Sequence, residues 1–168
     1  MNIVDLFLAQ LDREAAVSSR TLDRVPEGRP DWKPHEKSMA LGYLATLVAT
    51  MPSWIAMAVT QDALDLNPPS GPKYQPPSWA TVADLARIHD DAVRQGRDAL
   101  KNTTEAHLMT TWKLLVGGKV VSENPRHVVI EDTFTHLAHH RGQLSVYLRL
   151  NGVAVPSVYG PSADDRSF

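Results

Sequence analysis

The sequence predicts an all-α protein: a four-helix bundle with a short extended segment or hairpin before its last helix. Three observations predict it. Apolar residues recur at helical spacing through four long stretches. Glycine, proline and asparagine punctuate the ends of those stretches. The 168 residues, 43% hydrophobic and 21% charged, sit in the usual single-domain range and are enough to bury one core. Residues 1–168 are therefore read as one domain.

Each element has its own local reason. Ile3, Leu6, Phe7 and Leu11 make an amphipathic first helix over about 2–22, stopped by Val25-Pro-Glu-Gly-Arg-Pro30. Trp32-Lys-Pro-His35-Glu-Lys-Ser38 is an approach loop, with Ser38 as the cap of a second helix. That helix carries Leu41, Leu44, Leu47 and Val48, Met51 and Ile55, and is expected to reach about Leu64. Pro52 falls inside it and should kink or break it. A proline-rich crossing, Asn67 to Pro77, leads to a third helix that begins near Ser78 and carries Val82, Leu85, Ile88, His89, Ala92 and Leu100. Trp112, Leu114 and Val116, then Gly117-Gly118, then Val120 read as the extended hairpin. Asn124 and Pro125 open the fourth helix as cap and first helical residue. It runs to about Leu150 and Gly152 ends it; the tail to Asp165 is non-helical and packs along the bundle.

Composition excludes several classes of function. A net charge of −2 gives no case for binding nucleic acid or an anionic membrane. With no cysteine there is no disulfide, thiolate nucleophile or thiolate metal ligand. No apolar run approaches the roughly 18 residues of a membrane span, and the N-terminus lacks the basic region of a secretory signal. The expectation is a cytoplasmic protein with no nucleic-acid or membrane partner. Gly117-Gly118 is a turn and not a phosphate loop, since no Lys-Ser/Thr follows it.

The segment richest in chemistry is His136-Leu-Ala-His139-His140-Arg141-Gly142-Gln143. Residues four apart share one helix face, so His136 and His140 can aim two imidazoles at one point, as metal-binding helices do. Gln143 and Tyr147 continue that stripe beside the core stripe of Ile130, Phe134, Leu137, Leu144 and Leu148, and with Leu47 are expected to line a pocket. Tyr147 is either a proton donor to a ligand or a buried, hydrogen-bonded tyrosine. His139 reads as a support for a ligand or a dimer contact. Arg141 either caps acidic groups of another helix or binds an anion, with a surface or interface salt bridge as its expected role. His89 is a possible additional ligand; otherwise it sits at the surface beside Asp90 and Asp91. Trp54 and Trp112 are bundle-end anchors, or line the mouth of the pocket.

His136 to Gly152, with Val155-Pro-Ser-Val-Tyr-Gly-Pro-Ser-Ala-Asp-Asp165, resembles the DinB family, and the likeness extends back through Trp32 to Gly42 and Met51 to Trp54. The resemblance implies a four-helix bundle, commonly a homodimer. It implies a divalent metal, nickel or zinc, held by a helix-two histidine and a HxxxH pair, here His136 and His140. Related bundles include metal-dependent hydrolases and S-transferases that use low-molecular-weight thiols. The helix-two ligand belongs at position 47, in Leu41-Gly-Tyr-Leu-Ala-Thr-Leu47, and leucine has no donor atom. Two functions follow. One is a metal-dependent thiol transferase or hydrolase with a degenerate metal site. The other is a non-catalytic, metal-free homodimeric bundle that binds a small ligand or serves as a stress-associated structural protein.

Overall fold

Asn2 caps the first helix, α1 (Ile3–Leu22): its side chain accepts the amide of Asp5, and the Asp5 carboxylate accepts the amide of Asn2. The computed structural model describes residues 2–70 and 75–167. The second rod is broken as expected, into α2 (Leu41–Thr50) and α3 (Pro52–Thr60), bent by 50°. Proline has no N–H to continue the ladder, so the chain restarts with Pro52 as the first residue of α3. The remaining elements are β1 (Ala63–Asp65), α4 (Val82–Lys101), a single turn α5 (Glu105–Leu108), β2 (Thr111–Val116), β3 (Lys119–Pro125) and α6 (Arg126–Leu150).

Five of the expected details need correction. The fold is not purely all-α: four helical rods carry a three-stranded mixed sheet, with β1 parallel to β2 and β2 antiparallel to β3. The second rod stops at Thr60 and not near Leu64, because Arg126 donates to the carbonyls of Ala58 and Gln61 and closes the end of α3. Ala40, not Ser38, occupies the cap position of α2, and Thr81 caps α4, which starts at Val82 rather than Ser78. Asn124 lies in β3, so Pro125 takes the cap position and α6 begins at Arg126. The crossing over 67–77 lies partly outside the described residues, and its described flanks hold no helix or strand.

The hairpin turns at Gly117 and Gly118, both with positive φ (61° and 79°), a conformation that only glycine adopts without strain. Asp65, at the end of β1, accepts the amides of both glycines and of Asn67, so its carboxylate ties β1 to the turn between β2 and β3. These three donors outweigh the partial desolvation that acts to raise its pKa, and hold it below the ordinary 3.8.

The core divides into two apolar clusters. One gathers Leu41, Leu44 and Val48 of α2 with Leu85, Leu137, Leu144 and Leu148. The other gathers Phe7 and Leu11 with Ile55, Leu100, Ile130 and Phe134. On α1, Glu14 and Ser18 fall between the two; on α4, His89 does, so buried polar residues cross the middle of the bundle. Gly96 lets α4 approach α3 closely, since a Cβ there would lie 2.7 Å from the Pro52 carbonyl oxygen. Among the described residues no single helix is long and apolar enough to cross a membrane. The bent pair α2 and α3 reaches that composition, but Leu41, Leu44, Ala45, Val48, Ile55 and Ala58 are buried within the bundle.

Candidate functional site

Side chains alternate across a strand, and the pairing register places Leu64, Trp112, Leu114, Ser122 and Asn124 on one face of the sheet. That face looks onto α3 and α6 across a cavity of about 320 Å³, toward the small end of the roughly 300–1,000 Å³ range of ligand sites. Trp54 and Met57 of α3, Leu66 after β1, and Val129 of α6 complete its apolar walls. Its α6 side carries Asp132, Thr133 and His136. Trp54 stacks edge-on against the His136 ring at 5.6 Å.

From His136 a chain of side-chain hydrogen bonds runs along α6. His136 Nε2 lies 2.8 Å from His140 Nε2, His140 Nδ1 lies 2.8 Å from Gln143 Oε1, and Gln143 Nε2 lies 3.1 Å from His139 Nε2. One proton assignment satisfies every link. The Gln143 oxygen can only accept, so His140 donates from Nδ1 and accepts at Nε2. His136 therefore donates from Nε2, and its Nδ1 is left as an acceptor. His140 is buried, whereas His136 and His139 are exposed. Burial first, then the neighbouring His140 and His139, hold the His136 pKa below the usual 6.5, against the opposing charge of Asp132. The ring at the cavity rim is thus a neutral acceptor at pH 7.

This donor set does not fit a resident nickel or zinc ion. Among the described residues no group of three His, Cys, Asp or Glu side chains could hold a metal, and a protein-bound zinc normally takes at least three protein ligands. Leu47 is partly buried against the α2–α6 apolar cluster. His89 does not join the pair. It is 2% exposed, and its ring nitrogens face the carbonyls of Ala49 (3.3 Å) and Ala15 (3.2 Å). It is thus neither a ligand beside His136 nor a surface residue. It satisfies an end carbonyl of α2 where Pro52 has broken the rod. It also lines a separate, polar groove between α1 and α4 with Arg94 and Arg97.

The remaining expected site residues separate from the cavity. Gln143 is the third member of the hydrogen-bond chain, and neither it, Tyr147 nor Leu47 lines the cavity wall. Tyr147 is buried, donates to the Met39 carbonyl at 3.1 Å and packs edge-on against Trp32. Trp54 and Trp112 do line the cavity. The residues not foreseen include the sheet-face side chains Leu64, Leu114, Ser122 and Asn124, and Asp132. The last had a signal in the sequence, since it lies one helical turn before His136.

Arg141 takes the first of its two expected roles, pairing with an acidic group of another helix, but it does so buried and not at the surface. Its side chain is fully buried; it pairs with Glu14 Oε2 at 2.6 Å and donates to Ser18 Oγ at 2.9 Å. It also bonds the Tyr159 hydroxyl, which in turn donates to Glu14 at 2.8 Å. The arginine of the histidine-rich motif and the tyrosine of the tail thus form one clasp that pins the C-terminal segment to α1. Burial first, then the bond to Glu14, raises the Tyr159 pKa.

Residues 122–166 match the DinB family. Over 164 residues, 96% of this chain and 91% of the relative, the chain is 24% identical to the "Uncharacterized protein YrdA" of Bacillus subtilis (strain 168). In structure it is similar to a DinB-like protein, YjoA, of Bacillus subtilis, with a TM-score of 0.65 at 16% identity, covering 96% of this chain and 99% of the other. It is also similar to a DinB-like protein of Bacillus cereus ATCC 10987, with a TM-score of 0.69 at 20% identity, covering 91% and 95%. At these identities the structural likeness concerns the fold alone.

Proposed function

We propose, from the match of residues 122–166 to the DinB family and the likeness in fold to DinB-like proteins, that the chain binds a small, largely apolar molecule between its sheet and α6, without a resident metal. The observation that carries this reading is the cavity itself: an apolar chamber with two tryptophans in its wall and a neutral imidazole at its rim. The chain His136–His140–Gln143–His139 fixes the orientation and tautomer of that imidazole. In this reading the histidines that the resemblance assigns to a metal serve as one polar wall of a ligand site. Thiol transfer or hydrolysis through a bound metal would need a ligand that position 47 does not provide.

The test is titration with 2-phenylethanol, a neutral probe of suitable size, followed by tryptophan fluorescence and by methyl NMR of Met57 and Leu114. Saturable binding that perturbs these groups, and that Leu114→Trp abolishes by filling the chamber, is the expected result. Absence of binding, or binding indifferent to Leu114→Trp, would overturn the reading.

A further inference from the structure

The polar groups of the cavity are weighted toward acceptors, and the charged one among them is a carboxylate. Asp132 carries the one formal charge that the described residues place in the lining at neutral pH, and a carboxylate can only accept. It makes no ion pair or hydrogen bond with any described residue, and no described Lys or Arg lines the chamber. Thr133 turns its hydroxyl hydrogen to the Val129 carbonyl, 2.8 Å away. Asn124 turns its amide nitrogen to Ser122 Oγ, 3.0 Å away, leaving its carbonyl oxygen. His136 gives its ring proton to His140 and keeps a lone pair at Nδ1. The Trp112 Nε1–H is buried with no hydrogen-bond partner among the described residues, and with the hydroxyl hydrogen of Ser122, which accepts from Asn124, it is one of the few donors beside the chamber.

With its one charge a carboxylate and no cation among the described lining residues, the chamber is complementary to a positively charged group with several N–H donors. It is a poor match for a carboxylate, a phosphate or a thiolate, which would meet Asp132 with no cation to offset the repulsion. The two indoles add to the preference, since the face of a tryptophan attracts a cation. We infer that the cavity recognises a hydrophobic monoamine, its aromatic or branched aliphatic body between Trp54 and Trp112 and its ammonium at Asp132. This rests on the cavity being a binding site, and it gives that site a charge preference that its size and apolar walls alone do not.

Three probes of one shape separate the two claims: 2-phenylethylamine, 2-phenylethanol and phenylacetate, titrated into the wild-type chain and into Asp132→Asn. Asp132 is exposed and unpaired, so the variant keeps the fold. The amine is expected to bind about ten-fold more tightly than the alcohol, as a rim ion pair plus a cation–π contact provide, and phenylacetate more weakly than either. Asp132→Asn should weaken the amine far more than the alcohol and bring the two to within about three-fold of each other. An alcohol that binds as well as the amine, or an amine indifferent to Asp132→Asn, overturns the amine preference and leaves the cavity as a binding site. Failure of all three probes overturns both.

Discussion

The Nε2 atoms of His136 and His140 stand 2.8 Å apart, one imidazole giving its proton to the other. Their separation by four residues on α6 brings the two rings together, and the same spacing would serve a metal. In the hydrogen-bonded state one of the two nitrogens is protonated and is not a ligand. A metal must displace that proton, so metal binding and the hydrogen-bond chain exclude each other. Among the described residues no third donor of His, Cys, Asp or Glu joins the pair to favour that displacement.

His136 makes stability depend on pH with a definite sign. Its folded pKa lies below 6.5, chiefly through burial and then through His140 and His139. The unfolded chain therefore takes up this proton first as pH falls. Stability from this site is complete above about pH 6.5, declines toward the lowered folded pKa, and is flat below it. Urea midpoints measured from about pH 7.5 down to about pH 5 should fall more for the wild type than for His136→Gln. Equal slopes would contradict the assignment.

The Arg141 clasp should dominate the stability of the C-terminal segment. Removing one partner of a buried pair leaves the other charge uncompensated, so Arg141→Ala and Glu14→Ala should each lower unfolding stability by about 3–5 kcal/mol. Tyr159→Phe keeps the ion pair and loses only hydroxyl bonds, for about 1 kcal/mol. Denaturant unfolding of the three variants checks the order. A harmless Arg141→Ala would place Arg141 back at the surface.

His89 holds the broken rod without taking part in the ligand site. His89→Ala strands the Ala49 carbonyl in the core and should destabilise the protein by about 1–3 kcal/mol. Binding of 2-phenylethanol at saturation should be unchanged. A loss of probe binding in a folded His89→Ala chain would join His89 to the cavity after all.

Gly96 is set by contact and not by backbone conformation. A methyl group there would press on the Pro52 carbonyl at 2.7 Å, an atom that cannot swing away. Gly96→Ala should therefore destabilise by about 1–3 kcal/mol, although alanine is the better helix former. Thermal denaturation measures the sign, and a stabilised variant would show that α3 and α4 can part.

The four rods and the break at Pro52 were legible because apolar periodicity and proline chemistry are local. The hairpin was legible for the same reason, from Gly117-Gly118 between two apolar runs. The strand Ala63–Asp65 was not: three residues show no periodicity, and the strand's partner β2 lies some 50 residues further on. Without it the sheet face, and so the cavity, could not be foreseen. The pairing of Arg141 with an acidic group of another helix was one of its two readings; its burial was not legible, because a charged side chain reads as solvated until its counter-ion is known, and Glu14 lies 127 residues earlier. His89 was misread for a similar reason, since its partners are backbone carbonyls of two other helices, which sequence does not mark. The histidine pair itself was fully legible; whether it faced a metal or a proton depended on Leu47 and on Gln143.

The most direct test of this account is long-range ¹H–¹⁵N NMR of the imidazole nitrogens in untagged protein, before and after one equivalent of zinc. The predicted spectrum has His136 protonated at Nε2 and His140 at Nδ1, and both patterns persist when zinc is added. Stoichiometric zinc-induced shifts at both Nε2 atoms would contradict it and return the pair to the role of metal ligands.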